Sequence, residues 1–121
     1  MSNSYLSLFK LKRVYPGEGC KLQDLIVNKE YLVKEGEITS ILRTGSVFST
    51  RIFHFEGINF MGRCLYPYYP ESEEYFLMDI EDRYYDFEED NPYSPVEVFL
   101  KNNINMFLTY WLEENFEDEM E

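Results

Sequence analysis

The first half of the chain alternates hydrophobic and polar positions with the short period of β-strands. Proline and glycine interrupt the alternation, because proline restricts φ and glycine permits the positive φ angles of tight turns. Residues 4–14 predict a strand and residues 15–19 the turn that ends it, whereas residues 22–27 fit either a short helical turn or an extended segment. The remaining extended stretches are 31–33, a hairpin over 37–55 and a strand over 58–65. The hairpin turns at 44–46, and a second turn at 56–57 precedes the last strand.

Within residues 74–93, the stretch 82–93 mixes acidic and aromatic side chains without a clean period. We interpret residues 74–81 as a further strand of the same antiparallel sheet and residues 82–93 as an exposed loop. In a strand, residues two positions apart lie on one face, about 6.6 Å from each other. Asp79 and Glu81 would then have roughly the spacing of successive phosphates along a nucleic-acid strand.

The end of the chain carries the clearest helical pattern. Ser94 is a favourable N-cap, Pro95 suits the first helical position, and Glu97 completes an S-x-x-E capping box. The acidic tail at 113–121 opposes the helix dipole, so we expect it to fray. One apolar stripe recurs at three- and four-residue steps and consists of Val96, Phe99, Leu100, Ile104, Phe107, Leu108, Trp111 and Leu112.

These elements predict an α+β fold. The 121 residues suffice for one hydrophobic core, so we expect a single domain over residues 1–121. An antiparallel sheet of about five strands should pack against one C-terminal amphipathic helix, giving two layers.

Charge is divided unevenly along the chain. The formal net charge is −12, yet residues 1–70 contain nine basic and six acidic residues, for a net charge of +3. Residues 71–121 contain two basic and seventeen acidic residues, for a net charge of −15. Such an acidic half disfavours direct contact with nucleic acid or an anionic membrane and favours a basic protein partner.

The sequence also indicates a cellular compartment. It contains neither a secretory signal nor a long apolar span, so we expect a cytoplasmic protein. Cys20 and Cys64 are far apart and form no CxxC motif, which predicts reduced thiols.

No combination of residues predicts a catalytic site, a cofactor or a metal centre. His54 is the only histidine, and a dyad with Cys64 would require the fold to bring the two together. Residues 17–19 resemble the start of a phosphate-binding glycine loop but complete no such motif. The acids at 79–90 are suitable oxygen ligands for Ca²⁺ or Mg²⁺, but they lack the EF-hand order.

Aromatic residues among the acids indicate a binding surface instead. Solubility alone needs no rings beside charge, whereas a binding face uses rings as anchors and charge for steering. We therefore expect a non-enzymatic inhibitor: a nucleic-acid mimic that occupies the basic groove of a nucleic-acid-processing protein, as phage anti-defence and toxin-immunity proteins do. The expected partner-binding residues are Asp79, Glu81, Asp82, Tyr84, Tyr85, Asp86, Glu88, Glu89, Asp90 and Tyr93.

Three other interpretations stay open. In the first, the acidic face serves only solubility. In the second, the protein is a structural or adaptor module that oligomerises through its aromatic surface, the +3 half of one copy meeting the −15 half of another; the sequence fits a monomer or a homodimer. In the third, the protein is a small-ligand enzyme of unknown reaction.

Overall fold

The structure is a computed structural model that describes residues 5–34, 43–62 and 65–116. Within these ranges, seven strands come first and three α-helices follow. The strands are β1 (Ser7–Tyr15), β2 (Gly19–Asp24), β3 (Lys29–Val33), β4 (Val47–Thr50), β5 (Ile52–Phe55), β6 (Ile58–Met61) and β7 (Tyr66–Tyr68). A short 3₁₀ helix at Pro70–Ser72 leads to the helices, which are α1 (Glu73–Asp90), α2 (Val96–Asn102) and α3 (Asn105–Phe116).

The strands form one curled, mixed sheet in the order β5-β6-β3-β2-β1-β4-β7. Neighbouring strands are antiparallel except β3 and β6, which pair in parallel through Val33 and Asn59. Only Arg51 separates β4 from β5 in the chain, although the sheet order places them near opposite ends. The sheet therefore curls around a core of its own, formed by Phe9, Leu11, Cys20, Leu22, Val33, Phe48, Ile52 and Met61.

A second core lies between the outer face of the sheet and the helices. Strand β1 contributes to both cores because successive side chains point to opposite faces, Leu8 toward the helices and Phe9 toward the interior. The Tyr68 hydroxyl joins the layers, since it lies 2.8 Å from Ser49 Oγ and donates to the Phe107 carbonyl at 2.8 Å. The buried residues of this core are Leu6, Leu8, Val47, Tyr68, Phe76, Ile80, Phe99, Leu100, Met106, Phe107 and Tyr110.

The α+β class is as expected, but the details of the sheet are not. The expectation of an antiparallel sheet of about five strands with one helix matches only in part, because the described residues contain seven strands, one parallel pairing and three helices. The hairpin predicted over 37–55 is only partly described. Its first strand lies outside the described residues, and its second is divided at Arg51 into β4, which pairs with β1 and β7, and β5, which pairs with β6.

The region 74–93 differs most from the sequence-based prediction. Neither the strand predicted at 74–81 nor the loop that follows it is present, because α1 runs from Glu73 to Asp90. The acidic residues obscured the helical period, which appears only when the pattern is followed over the full length of α1. The inward side chains recur at three- and four-residue steps and are Phe76, Leu77, Ile80, Tyr84 and Phe87.

The predicted C-terminal helix is divided between α2 and α3. The Asn103 side chain donates to the Phe99 carbonyl at 2.8 Å and its backbone N–H to the Leu100 carbonyl at 3.2 Å. An asparagine side chain that bonds to the preceding turn competes with the helical backbone hydrogen bonds, and here α2 ends at Asn102. Because α3 starts in a new phase, Ile104 and Leu112 of the predicted stripe are exposed. Helix α3 buries Phe107 of the stripe together with Met106 and Tyr110, which lie outside the stripe.

Both ends of this helical region also differ from the prediction. Pro95 rather than Ser94 is the N-cap of α2, and no side chain caps the helix, so the predicted capping box with Glu97 is absent. The Ser94 carbonyl instead accepts a hydrogen bond from the Tyr84 hydroxyl at 2.9 Å. At the other end α3 continues to Phe116, past the start of the predicted fraying, and the rest of the tail lies outside the described residues.

A buried carboxylate shapes the turn between β2 and β3. Asp24 Oδ1 accepts hydrogen bonds from the Ser7 hydroxyl at 2.7 Å and from the backbone N–H groups of Ile26 and Val27 at 3.0 and 2.9 Å. Within the described residues Oδ2 has no hydrogen-bond partner. Burial raises the pKa of Asp24, although the three hydrogen bonds oppose this shift.

We expect Asp24→Ala to lower the free energy of unfolding by about 2 kcal/mol or more, because it leaves three donors without an acceptor. Urea denaturation measures this loss. Gln23→Ala, on the neighbouring residue, should change the free energy by no more than about 0.5 kcal/mol.

The same site should make stability depend on pH. Because its folded pKa is raised, Asp24 stabilises the fold fully below its ordinary pKa, and this contribution is lost as the pH rises through the folded value. Asp24→Asn keeps an acceptor oxygen but has no proton to lose. Its stability relative to the wild type should therefore increase as the pH rises, and parallel pH profiles for the two proteins would contradict this assignment.

Candidate functional site on the acidic helix

The outward face of α1 combines exposed apolar side chains with carboxylates. Tyr75, Met78 and Tyr85 are 64%, 67% and 66% exposed, which is high for side chains of this size. With Asp82 and Glu89 they form a line at steps of three and four residues, opposite the buried Phe76 and Ile80 stripe. We call the line formed by Tyr75, Met78, Asp82, Tyr85 and Glu89 the α1 ridge.

Further acids lie on both sides of the α1 ridge. At 100° per residue, Asp86 falls on one side of it and Glu81 and Glu88 on the other. Among the described residues, the only ion pairs are Lys10–Glu73, Lys21–Glu30 and Arg83–Asp79, so the acids on and beside the ridge are not neutralised. The ridge therefore carries concentrated negative charge into solvent.

The structure places six of the ten predicted site residues on or beside the α1 ridge. They are Glu81, Asp82, Tyr85, Asp86, Glu88 and Glu89. The proposed strand spacing of Asp79 and Glu81 is wrong, because residues two apart on a helix point in nearly opposite directions. On α1 the acids of one face are instead four or seven residues apart, as Asp82 is from Asp86 and Glu89, with axial rises of about 6 and 10.5 Å.

The other four predicted residues have different positions. Tyr84 packs against Phe87 and Phe99 and bonds to a backbone carbonyl, so it supports the fold. Asp90 is the last residue of α1, and the fully exposed Tyr93 follows at φ 69°. Asp79 turns away from the ridge into a hydrogen-bond network.

This network joins α1 to α3. Arg83 Nε donates to Asp79 Oδ2 at 2.8 Å, and the Tyr110 hydroxyl makes a short hydrogen bond to the same oxygen. Partial burial raises the pKa of Asp79, but the bonds from Tyr110 and Arg83 outweigh it, and the net effect is a lowered pKa. Burial and the neighbouring Asp79 raise the pKa of Tyr110, so its hydroxyl keeps its proton at neutral pH.

The network forms one wall of a polar cleft of about 660 Å³ between α1 and the α2–α3 turn. Arg83 and Lys101, the two bases of residues 71–121, both line this cleft together with Asp79 and Glu113. Opposite charges thus balance within the cleft, in contrast to the α1 ridge.

The ten expected binding residues do not include Tyr75 and Met78, which belong to the α1 ridge, because the interpretation of residues 74–81 as a strand hides their place on one helical face. The spacing of Tyr75, Met78, Asp82 and Tyr85 contains the helical period that would have found them. Nothing in the sequence signals the contact between Asp79 and Tyr110, which are 31 residues apart.

Comparison with known proteins assigns the chain to a family. A family model described as a family of unknown function (DUF7986) matches residues 1–99. The chain belongs to this family. The match includes the whole sheet and α1 and ends within α2, so the α1 ridge lies inside the family region. Neither a search of curated proteins nor a search of solved structures found a match.

The described residues show neither a metal-binding cluster nor a membrane-spanning helix. They contain no cluster of three or more histidine, cysteine, aspartate or glutamate side chains arranged to hold a metal ion. None of the helices described has the length and apolar character needed to cross a membrane. His54 is exposed in β5, with its ring 6.2 Å from that of Tyr31, and Cys64 lies outside the described residues.

We expect Tyr110→Phe to lower the free energy of unfolding by about 1 kcal/mol at neutral pH, because it removes one hydrogen bond to a partly exposed carboxylate. Since the pKa of Asp79 is lowered, this stabilisation is present above the ordinary aspartate pKa and is lost as the pH falls through the folded value. The difference between variant and wild type should therefore shrink in acid. Urea denaturation across the acidic range measures it.

Tyr75→Phe is the matched control, because Tyr75 lines the same cleft and has no hydroxyl hydrogen bond among the described residues. This control should leave the free energy of unfolding within about 0.5 kcal/mol of the wild type at every pH. A constant cost of Tyr110→Phe from neutral to acidic pH would contradict the assignment of the bond to a carboxylate.

Proposed function

We propose that the protein is a non-enzymatic binding protein whose α1 ridge occupies a basic surface of a nucleic-acid-binding protein and so inhibits it. The observation that carries the proposal is the ridge itself: exposed Tyr75, Met78 and Tyr85 lie among carboxylates that have no basic partner in the described residues. A nucleic-acid-binding groove offers the complement, because it is lined with lysine and arginine.

Charge on the α1 ridge supports steering and specificity. Six acids of α1 lie on the ridge, beside it or at its C-terminal end, and all six face solvent. Such exposed carboxylates attract a basic surface over about one Debye length of 8 Å. A rigid helix holds these charges in fixed positions, so little ordering entropy is lost on binding. The six acids are Glu81, Asp82, Asp86, Glu88, Glu89 and Asp90.

Apolar contacts support affinity. Buried tyrosines and other rings supply much of the energy of interfaces, whereas exposed charge pairs contribute little. Tyr75, Met78 and Tyr85 offer such anchors, and an apolar groove of about 520 Å³ runs along the side of α1 where Glu81 lies. Leu25, Leu77 and Val96 are among the residues that line this groove.

The position of the acids costs stability, which favours a function over a purely solubilising role. Glu88, Glu89 and Asp90 occupy the last turn of α1, where no basic residue offsets them. Negative charge at a helix C-terminus opposes the helix dipole by about 0.3–1 kcal/mol per charge. A basic partner bound at this end would relieve the repulsion.

The test neutralises the α1 ridge without altering its shape. Wild-type protein and the variant Asp82→Asn, Asp86→Asn, Glu89→Gln are immobilised separately, and proteins captured from a host lysate at low salt are compared by mass spectrometry. We expect a nucleic-acid-binding protein that the variant retains at least about tenfold less well, because three charges steer and orient the complex. With this partner purified, the wild type should displace labelled DNA and the variant should not.

A second triple variant, Glu18→Gln, Glu30→Gln, Glu56→Gln, provides the matched control, because it makes the same change in net charge at exposed positions of strand β3 and of two turns between strands. It should bind and displace DNA like the wild type. Thermal denaturation should show the ridge variant to be as stable as the wild type or more so. Equal losses for both triple variants would indicate that only net charge matters, and a captured partner that keeps its DNA would contradict inhibition.

A further inference from the structure

The helices cover only part of the outer face of the sheet. They pack over β1, β4 and β7, where Leu8, Val47 and Tyr68 are buried beneath them. Beyond β2 the sheet continues through β3, β6 and β5, and no helix lies over this end in the part of the chain that the structure describes.

The uncovered end of the outer face is apolar. The pairing of β5 with β6 places Phe53 opposite Phe60 and Phe55 opposite Ile58, and Leu32 of β3 continues the same face. All five side chains are among the exposed large hydrophobic residues. We call these five residues, Leu32, Phe53, Phe55, Ile58 and Phe60, the aromatic patch.

The two edges of the sheet differ in how they are protected. Pro67 lies at the centre of edge strand β7 and removes a backbone donor, a common device against edge pairing. The other edge strand, β5, contains no proline, lysine or bulge, although such features protect most exposed edges. Strand β5 is therefore the edge suited to pairing with another strand.

Backbone geometry identifies which groups of β5 face outward. Glu56 and Gly57 have φ of 51° and 79°, as in a two-residue type I′ turn, so Phe55 and Ile58 form a hydrogen-bonded pair. Hydrogen-bonded and non-hydrogen-bonded pairs alternate along antiparallel strands, so Phe53 with Phe60 and Arg51 with Gly62 are also hydrogen-bonded pairs. The Gly62 N–H does donate to the Arg51 carbonyl, at 2.8 Å. The N–H and C=O groups of Ile52 and His54 therefore point away from β6.

We propose that a second copy of the chain docks on this edge, forming a homodimer with twofold symmetry about Phe53. Ile52 of each copy then pairs with His54 of the other through four backbone hydrogen bonds, and the two Phe53 residues face each other in a non-hydrogen-bonded pair. Such an interface is isologous, so the aromatic patch of one copy continues into that of the other.

Area and charge favour a second copy as the occupant. The exposed fractions of the five patch residues add up to about two and a half whole side chains, or roughly 500 Å² of apolar surface per copy. A standard interface buries about 800 Å² per partner, of which about 60% is apolar. Strand β5 contains no aspartate, glutamate, lysine or arginine, and the α1 ridge with the acids beside it lies on a different element, off the interface.

Sedimentation equilibrium at low and high salt tests the proposal on the full-length chain. We expect a monomer–dimer equilibrium in which the dimer strengthens as salt rises, because salt screens the repulsion between two copies that each carry −12. Phe55→Lys should raise the dissociation constant at least about tenfold, since it places an unpaired charge in an apolar interface. Phe55→Ser should weaken the dimer in the same direction without adding charge.

Tyr85→Lys is the matched control, because Tyr85 on the α1 ridge and Phe55 in the patch are both 66% exposed. It should leave the dimer intact. Three results would overturn the proposal: a wild-type monomer at all concentrations, an equal loss of dimer affinity for Tyr85→Lys, or a dimer that salt weakens. A dimer weakened by salt would indicate contact between the basic and acidic halves.

Cross-linking tests the register independently of affinity. With Cys64 replaced by serine, Phe53→Cys should give a covalent dimer on mild oxidation, because facing residues of such a pair have Cα atoms within the range of a disulfide. His54→Cys should not, since His54 faces Ile52 of the other copy. A covalent dimer from His54→Cys alone would overturn the register, and a dimer from neither would overturn the edge contact.

Discussion

The packing of the Phe76 ring between β7 and α3 determines the orientation of α1, and therefore which side chains of this helix face solvent. The ring stacks on Tyr110 at a centroid distance of 4.4 Å and meets the edge of Tyr68 at 5.0 Å. Ile80, one turn later, is buried on the same stripe. Because a helix turns about 100° per residue, this stripe leaves Asp82 and Tyr85 facing water.

The same packing separates two surfaces of opposite physical character. The α1 ridge is charged and would bind through complementary charge, which salt weakens. The aromatic patch lies at the far end of the sheet and carries no charged residue. It would associate through burial of apolar area, which salt does not weaken. A dimer through the patch would present two ridges to a partner, and a partner with two basic sites would then gain avidity without new contacts.

Sequence predicted the fold class, several strands and turns, and six residues of the candidate site, because these depend on local pattern. The predictions failed where tertiary contacts or longer windows decide. Residues 75–78 are a short apolar run, which period alone does not distinguish from a strand until Tyr84 and Phe87 extend the helical period. The division at Asn103 depends on a side chain bonding to its own helix, and the bare face around Phe55 depends on how far the helices reach across the sheet.

We propose that a basic ligand binds to the α1 ridge, which the inward stripe holds toward solvent. Amide chemical-shift mapping by NMR during titration with a short oligo-arginine peptide tests it most directly. We expect the largest shifts to fall between Tyr75 and Asp90 and to become smaller when salt is added, while β5 and β6 change little. Shifts spread evenly over all exposed acids, or concentrated in the cleft at Asp79 and Glu113, would contradict it.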